Sequence, residues 1–129
     1  MIGIVIVAHG GLAREYRAAV EHVVGKQEDC VAIAIEAEVD RAAKQAEICA
    51  AADAVDKGDG VIVVTDMFGG SPSNLSMFAC AAEDRKIIYG ANLPMLVKLA
   101  KSRNKPLEQA VQGALAAGRK YLDCHEGRC

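Results

Sequence analysis

The sequence predicts an α/β fold: a doubly wound, mainly parallel sheet with helices on both faces. Three observations predict it. Apolar Ile/Val runs alternate with helical segments, the runs are short, and glycines or charged residues bound them. Alternating strands and helices build parallel sheets through right-handed crossovers. The length of 129 residues suits one domain, which we expect over 1–129 with a frayed tail at about 123–129.

Four strands are expected, at 2–8, 30–36, 60–66 and 86–91. Each is a β-branched run of the kind that parallel strands need when helices cover both faces of the sheet. Covering both faces requires that the chain reverse its winding direction once, and the strand order 2-1-3-4 achieves this. An additional edge strand is compatible with this order.

Five helices are expected between and after these strands. The first two cover 12–24 and 40–56. The third begins at Ser71-Pro72, where we expect Ser71 to be the N-cap and the proline to take the first helical position. A short helix at about 94–102 and a last helix from Pro106 complete the chain.

Composition and charge exclude several classes of function. The net charge is −2, and the 15 basic and 17 acidic residues do not cluster, so we expect no nucleic-acid partner. No apolar stretch approaches the ~20 residues that span a bilayer, and the N-terminus lacks a signal-peptide pattern. The five cysteines are scattered through core-like segments, which is typical of small buried side chains in a reducing compartment. We therefore expect a cytoplasmic protein.

His9 ends the first apolar run and directly precedes the glycine turn Gly10-Gly11. Open α/β sheets keep their ligand sites at this carboxyl edge. Strands one and three are neighbours in the order 2-1-3-4, so His9 should face Asp66 at the end of strand three. A carboxylate bound to one ring nitrogen would orient the other as a neutral base or nucleophile. The alternative is a hydrogen-bonded histidine with only a structural role at a strand end.

The segment after Asp66 predicts an anion-binding loop. Gly69 and Gly70 permit unusual backbone dihedrals and the close approach of a ligand. They lead into a helix whose first amide groups lack intrahelical partners and whose dipole favours anions. We therefore expect Gly69, Gly70 and Ser71 to bind phosphate. A nucleophilic histidine opposite such a loop indicates a phosphoryl group carried on the imidazole.

Three further residues are candidates for site support or partner docking. Met67 and Phe68 lie on the predicted site loop, where they either point into the core or form an apolar docking surface. Asn92 follows strand four at the same sheet edge and either supports the site loops or only begins a helix.

The C-terminal tail contains Cys124, His125 and Cys129, which are potential metal ligands. Structural zinc sites commonly use four ligands in paired spacings, so we expect no metal here. Direct phosphoryl transfer between protein imidazoles requires no cofactor either, and we expect none.

Three segments resemble the mannose-type enzyme IIA component of the bacterial phosphoenolpyruvate:sugar phosphotransferase system. They are VIVAHGGLA at 5–13, TDMFGGSPSN at 65–74 and GANLPML at 90–96, and the resemblance covers about residues 1–122. It implies a phosphocarrier in which His9 accepts phosphate on Nε2 from the phosphocarrier protein HPr and passes it to a IIB component, with Asp66 orienting the ring. It also implies a homodimer whose contact with the membrane is only through permease subunits.

Two other functions stay open at this point. One is a regulatory protein that senses phosphorylation state through protein contacts and has no role in transport. The other is the phosphotransfer subunit of dihydroxyacetone kinase, which resembles this fold at its N-terminus. The string GGSP at 69–72 fits the mannose type better. Neither the sugar nor the identity of the IIB or regulatory partner follows from the sequence.

Overall fold

The structure, a computed structural model of the chain, describes residues 1–67, 69–80 and 84–127. Four strands in these ranges form one parallel sheet: β1 (Gly3–His9), β2 (Cys30–Ile35), β3 (Val61–Thr65) and β4 (Arg85–Ile88). Their order is β2-β1-β3-β4. The predicted fold class and strand order are therefore confirmed.

The two central strands, β1 and β3, run parallel, so their carboxyl ends lie side by side at one edge of the sheet. All of β3 is buried, and β1 is buried except for its last residue, His9. Both strands are nearly continuous Ile/Val runs because helices cover both of their faces. Val7 pairs with Thr65, so the residues that follow them, His9 and Asp66 among them, reach the same carboxyl edge.

Helices pack on both faces of the sheet. One face carries α1 (Leu12–Val24), α4 (Leu93–Lys101) and α5 (Leu107–Lys120), and the other carries α2 (Arg41–Val55) and α3 (Ser71–Ser76), which continues as a 3-10 turn over Met77–Cys80. Successive strand residues point to opposite faces, so Ile4 and Ile6 pack with the first group and Val5 and Val7 with the second. Within the described ranges, no helix combines the length and apolar character needed to cross a membrane.

Most predicted element bounds agree with the structure to within one residue, and two differences at the carboxyl edge affect the site. β4 ends at Ile88 rather than at residue 91, because Gly90 turns the chain with φ +72°. The Ala91 N–H then donates to the Thr65 carbonyl at 3.1 Å, which ties the departing loop to the end of β3. The N-cap of α3 is Gly70, not Ser71, which is the first helical residue and makes no capping hydrogen bond with its side chain.

Candidate functional site

His9 and Asp66 are 57 positions apart in the sequence and hydrogen-bonded at the carboxyl edge of the sheet. Nδ1 of His9 lies 2.7 Å from Oδ2 of Asp66. The backbone N–H of His9 donates to the same carboxylate oxygen at 3.0 Å. These two bonds hold both the ring and its backbone against one carboxylate. An ionised carboxylate only accepts hydrogen bonds, so the neutral ring carries its proton on Nδ1 and has a lone pair on Nε2.

The two partners differ in exposure, and this difference sets the electrostatics of the pair. The Asp66 side chain is 11% exposed and that of His9 is 50% exposed. Burial opposes the ionisation of Asp66, but the hydrogen bonds from the backbone and ring of His9 outweigh it and hold the pKa of Asp66 below its ordinary value. Asp66 is therefore a carboxylate at neutral pH, and it can stabilise positive charge that develops on the imidazole.

A glycine turn places backbone directly beside the imidazole. A Cβ atom added to Gly70 would lie 3.2 Å from Cε1 and 3.7 Å from Nε2 of His9. Gly69, with φ +84°, supplies the left-handed conformation that aims the following backbone toward the ring. The edge of the imidazole that carries Nε2 therefore faces the start of α3.

Ser73 is a site-loop residue that the sequence analysis missed. Its Oγ accepts a hydrogen bond from the Gly69 N–H and donates one to the Gly70 carbonyl, both at 3.0 Å. The side chain is buried and fastens the glycine turn to the first turn of α3. A serine three positions after the N-cap of a helix is a recognisable local signal, so the sequence contained the information. The N–H of Gly69 is therefore already bonded to Ser73. The contribution of Gly70 to the site is that its backbone lies close to the His9 ring.

Asn92 lies on the neighbouring loop and connects two helices. Its Oδ1 accepts from the Met95 N–H at 3.0 Å as the N-cap of α4, and its Nδ2 donates to the Gly118 carbonyl of α5 at 2.9 Å. A Cβ at Gly118 would lie only 3.0 Å from the Met95 Cβ, so a glycine there allows α5 to approach α4 closely enough for this bond. Asn92 therefore connects the loop after β4 to α4 and α5, and neither of these bonds involves His9.

The remaining predicted residues lie in different surroundings. Met67 is 55% exposed and contacts the position of Gly70, with its Cγ 3.4 Å from the added Cβ. Phe68 and Cys129 lie outside the described residues. Cys124 and His125 are exposed on the tail. No three metal-binding side chains converge in the part of the chain that the structure describes.

A cleft of about 430 Å³ opens beside the turn that follows His9. Gly10 and Gly11 line it, together with the charged residues Arg14, Arg17 and Glu36. His9 does not line this cleft, and half of its side chain is exposed, so the ring stands on an open edge rather than in an enclosed pocket. Such an edge is accessible to a macromolecular partner.

Comparison with known proteins shows which family the chain matches and which solved structures it is similar to. Residues 3–115 match the model of the EIIA-man family, described as the PTS system fructose IIA component. The chain is similar to the phosphotransferase system component EIIA from Streptococcus agalactiae, with 26% identity, coverage of 96% of this chain and 97% of that chain, and a TM-score of 0.80. It is also similar to the PTS IIA protein associated with the fucose utilization operon from Streptococcus pneumoniae, with 28% identity, 88% of both chains covered and a TM-score of 0.76.

A third similar structure supports the fold. The mannose/sorbose-specific IIA subunit from Enterococcus faecalis shares 22% identity over 99% of this chain and 97% of that chain, with a TM-score of 0.87. At this identity, the likeness concerns the fold. A search of the curated proteins found no match.

Proposed function

We propose that this protein, which belongs to the EIIA-man family of sugar phosphotransferase-system IIA components, carries a phosphoryl group on Nε2 of His9. The observation that supports this most directly is the bond from Nδ1 of His9 to Asp66 at 2.7 Å, because it leaves Nε2 as the nucleophilic nitrogen. The donor is phospho-HPr and the acceptor is a IIB component. The finer assignment to His9 goes beyond family membership and depends on this geometry.

The proposed reaction is an in-line transfer between two imidazoles. The Nε2 lone pair of His9 attacks the phosphorus of the donor phosphohistidine, so one N–P bond forms while the other breaks and the donor ring leaves with its electron pair. Asp66 offsets the positive charge on the ring that is protonated on Nδ1 and phosphorylated on Nε2. In the transfer to IIB, His9 is the donor: the bond between its Nε2 and phosphorus breaks while the bond from the acceptor to phosphorus forms. No metal or cofactor takes part.

The start of α3 supplies the proposed phosphate cradle. The backbone amides of Gly70 and Ser71 begin the helix and have no intrahelical acceptors, and Gly70 lies against the Nε2 edge of the ring. The hydroxyl of Ser71 provides a third donor for the equatorial oxygens. Gly69 contributes through its turn, since its N–H is bonded to Ser73.

Exposed apolar side chains around the ring form the proposed docking surface for HPr and IIB. Met67 follows Asp66, Leu12 begins α1 just after the glycine turn, and Leu93 begins α4 after Asn92. All three therefore follow strand ends at the carboxyl edge that carries His9. A shared surface suits a carrier that must bind donor and acceptor in succession. We also propose that the protein is a homodimer.

Reconstitution tests the proposal directly. The protein is incubated with phosphoenolpyruvate, enzyme I and HPr, and the phosphorylated residue is mapped by mass spectrometry, with phosphorus NMR to identify the ring nitrogen. We expect a single phosphohistidine at His9, on Nε2, and no labelling of His9→Gln. The matched control is His22→Gln on the last turn of α1, which should be labelled like the wild type. An unlabelled wild type, or full labelling of His9→Gln, would contradict the proposal.

A further inference from the structure

We propose that Tyr16 is a positioning residue for phosphoryl transfer, because its hydroxyl holds the end of β3 that presents Asp66 to His9. This inference rests on the proposed function of His9. Tyr16 does not touch the reacting atoms. It acts through Ala91 and Thr65, and the structure shows each of the two hydrogen bonds in this path.

The first bond joins α1 to the loop that follows β4. The Tyr16 hydroxyl donates to the Ala91 carbonyl at 3.0 Å, across 75 positions of sequence. The Tyr16 ring is half-buried and packs against the core on the α1 face of the sheet. Because the ring is held by this packing, the hydroxyl has a defined position and can restrain the loop.

The second bond joins the same loop residue to the end of β3. The Ala91 N–H donates to the Thr65 carbonyl at 3.1 Å, and Thr65 directly precedes Asp66. Both polar backbone groups of Ala91 are therefore used, one toward Tyr16 and one toward the end of β3. Ala91 lies beyond the last residue of β4, so it has no place in the strand ladder to hold it. The Tyr16 hydroxyl supplies an anchor that the ladder does not.

The position of the Asp66 carboxylate depends on the position of β3, because only one of its two oxygens is hydrogen-bonded to His9. Both hydrogen bonds from His9 fall on Oδ2, while Oδ1 is buried without a partner among the described residues. A small displacement of the end of β3 would therefore lengthen both bonds together. Burial, and next the negative charge of Asp66, raise the pKa of Tyr16, so its hydroxyl stays a donor at all pH values where the transfer operates.

Tyr16→Phe tests the inference, since it removes the hydroxyl and keeps the packed ring. We expect the rate of phosphoryl transfer from phospho-HPr to fall roughly fivefold, which is the rate change that the net free energy of one neutral hydrogen bond provides. Tyr121→Phe is the matched control, because it removes a hydroxyl from an exposed ring just after α5. It should leave the transfer rate unchanged.

A second readout separates positioning from a general loss of stability. The carboxyl carbon of Asp66 is titrated by NMR in the wild type and both variants. The ionisable groups that face Asp66 in the described part of the chain are His9 from β1 and Tyr16 from α1. Longer bonds from His9 stabilise the carboxylate less, so the Asp66 midpoint should move to higher pH in Tyr16→Phe and stay at the wild-type value in Tyr121→Phe.

The outcomes distinguish this inference from the function on which it rests. A Tyr16→Phe protein with a wild-type Asp66 midpoint would overturn the positioning role, even if its melting temperature fell. In that case, labelling of His9 in the wild type would still support the proposed carrier. A wild type that phospho-HPr does not label would overturn the carrier itself, whereas a shifted Asp66 midpoint in Tyr16→Phe would still support the contact path from Tyr16 to Asp66.

Discussion

At the amino edge of the sheet, Arg103 is 3% exposed and its guanidinium donates to the Ile2 carbonyl at 2.8 Å, the Asp29 carbonyl at 2.9 Å and the Gln27 side-chain oxygen at 3.2 Å. At the carboxyl edge, half of the His9 side chain is exposed, and the ring bonds through Nδ1 to Asp66. Both side chains tie strand ends to distant segments. They differ in how much hydrogen-bonding capacity is left.

The comparison shows how one sheet separates stability from chemistry. Burial lowers the pKa of Arg103, but a guanidinium stays charged in a protein and its three partners satisfy all three nitrogens. A buried guanidinium whose three nitrogens each donate to the protein is committed to holding these segments together. His9 has one nitrogen committed to orientation and one left over, at an edge that a partner can reach. The bonds of Arg103 at the amino edge thus connect distant segments of the fold, and the carboxyl edge is where we propose that the reaction takes place.

The largest effect is expected from breaking the amino edge. Arg103→Met removes three donors from buried surroundings and should lower the free energy of unfolding by about 3 kcal/mol. Chemical denaturation measures this change. The matched control, Arg41→Met at the exposed start of α2, should stay within about 0.5 kcal/mol of the wild type. The rate of His9 phosphorylation per folded molecule should be unchanged in both. A large loss of rate in Arg103→Met would show that the two edges are not separate.

The next largest effect concerns Asp66 itself. Asp66→Asn keeps the size of the side chain but removes its charge, and its amide can donate to Nδ1, which favours the proton on Nε2. We expect phosphoryl acceptance to fall roughly 100-fold, a typical contribution of an oriented acid–base partner. Rapid-quench labelling with phospho-HPr measures it. An acceptance rate within a factor of two of the wild type would exclude the orienting role.

The same substitution also carries a pH signature. The pKa of Asp66 is depressed in the folded protein, so its ionised form stabilises the fold above the ordinary Asp pKa of about 3.9, and this contribution is lost as the pH falls through the depressed value. The difference in unfolding free energy between the wild type and Asp66→Asn should therefore shrink between about pH 5 and pH 2. A difference that does not change over this interval would show that the charge of Asp66 contributes nothing to stability.

The smallest effect is expected from an exposed apolar side chain of the proposed docking surface. Met67 is 55% exposed on the loop after Asp66, and Met77 is 60% exposed at the start of the 3-10 turn that follows α3. Met67→Ala should raise the KM for phospho-HPr about fivefold with little change in kcat, because it removes apolar contact area with the partner. The matched control, Met77→Ala, should change neither constant. Equal constants for Met67→Ala and the wild type would remove Met67 from the docking surface.

Much of the fold followed from local patterns. β1 and β3 were predictable because strands buried on both faces consist of Ile and Val, and the strand order followed from the need to cover both faces with helices. The end of β4 was not predictable in the same way. Gly90 and the bond from Ala91 to Thr65 end the strand at Ile88, although the apolar character of the sequence continues past it.

The candidate site divides along the same line. His9, Asp66 and the glycines of the loop were identified from their places at strand ends and in a turn, and Ser73 could have been found from its spacing to Gly70. Tyr16 could not, because nothing near it in the sequence indicates a bond to a carbonyl 75 positions away. The bonds of Arg103 to Ile2 and Asp29 likewise span 101 and 74 positions.

The sequence by itself determined which segments become strands and helices and which polar residues stand at the strand ends. Periodicity and turn chemistry are local, and a parallel sheet delivers all its strand ends to two edges. Only the tertiary structure decided which oxygen of Asp66 meets His9, that Gly70 rather than Ser71 is the N-cap of α3, and that the Tyr16 hydroxyl bonds to the loop after β4. Those outcomes depend on contacts between segments far apart in the chain, and the packing of the helices against the sheet sets the distances in these contacts.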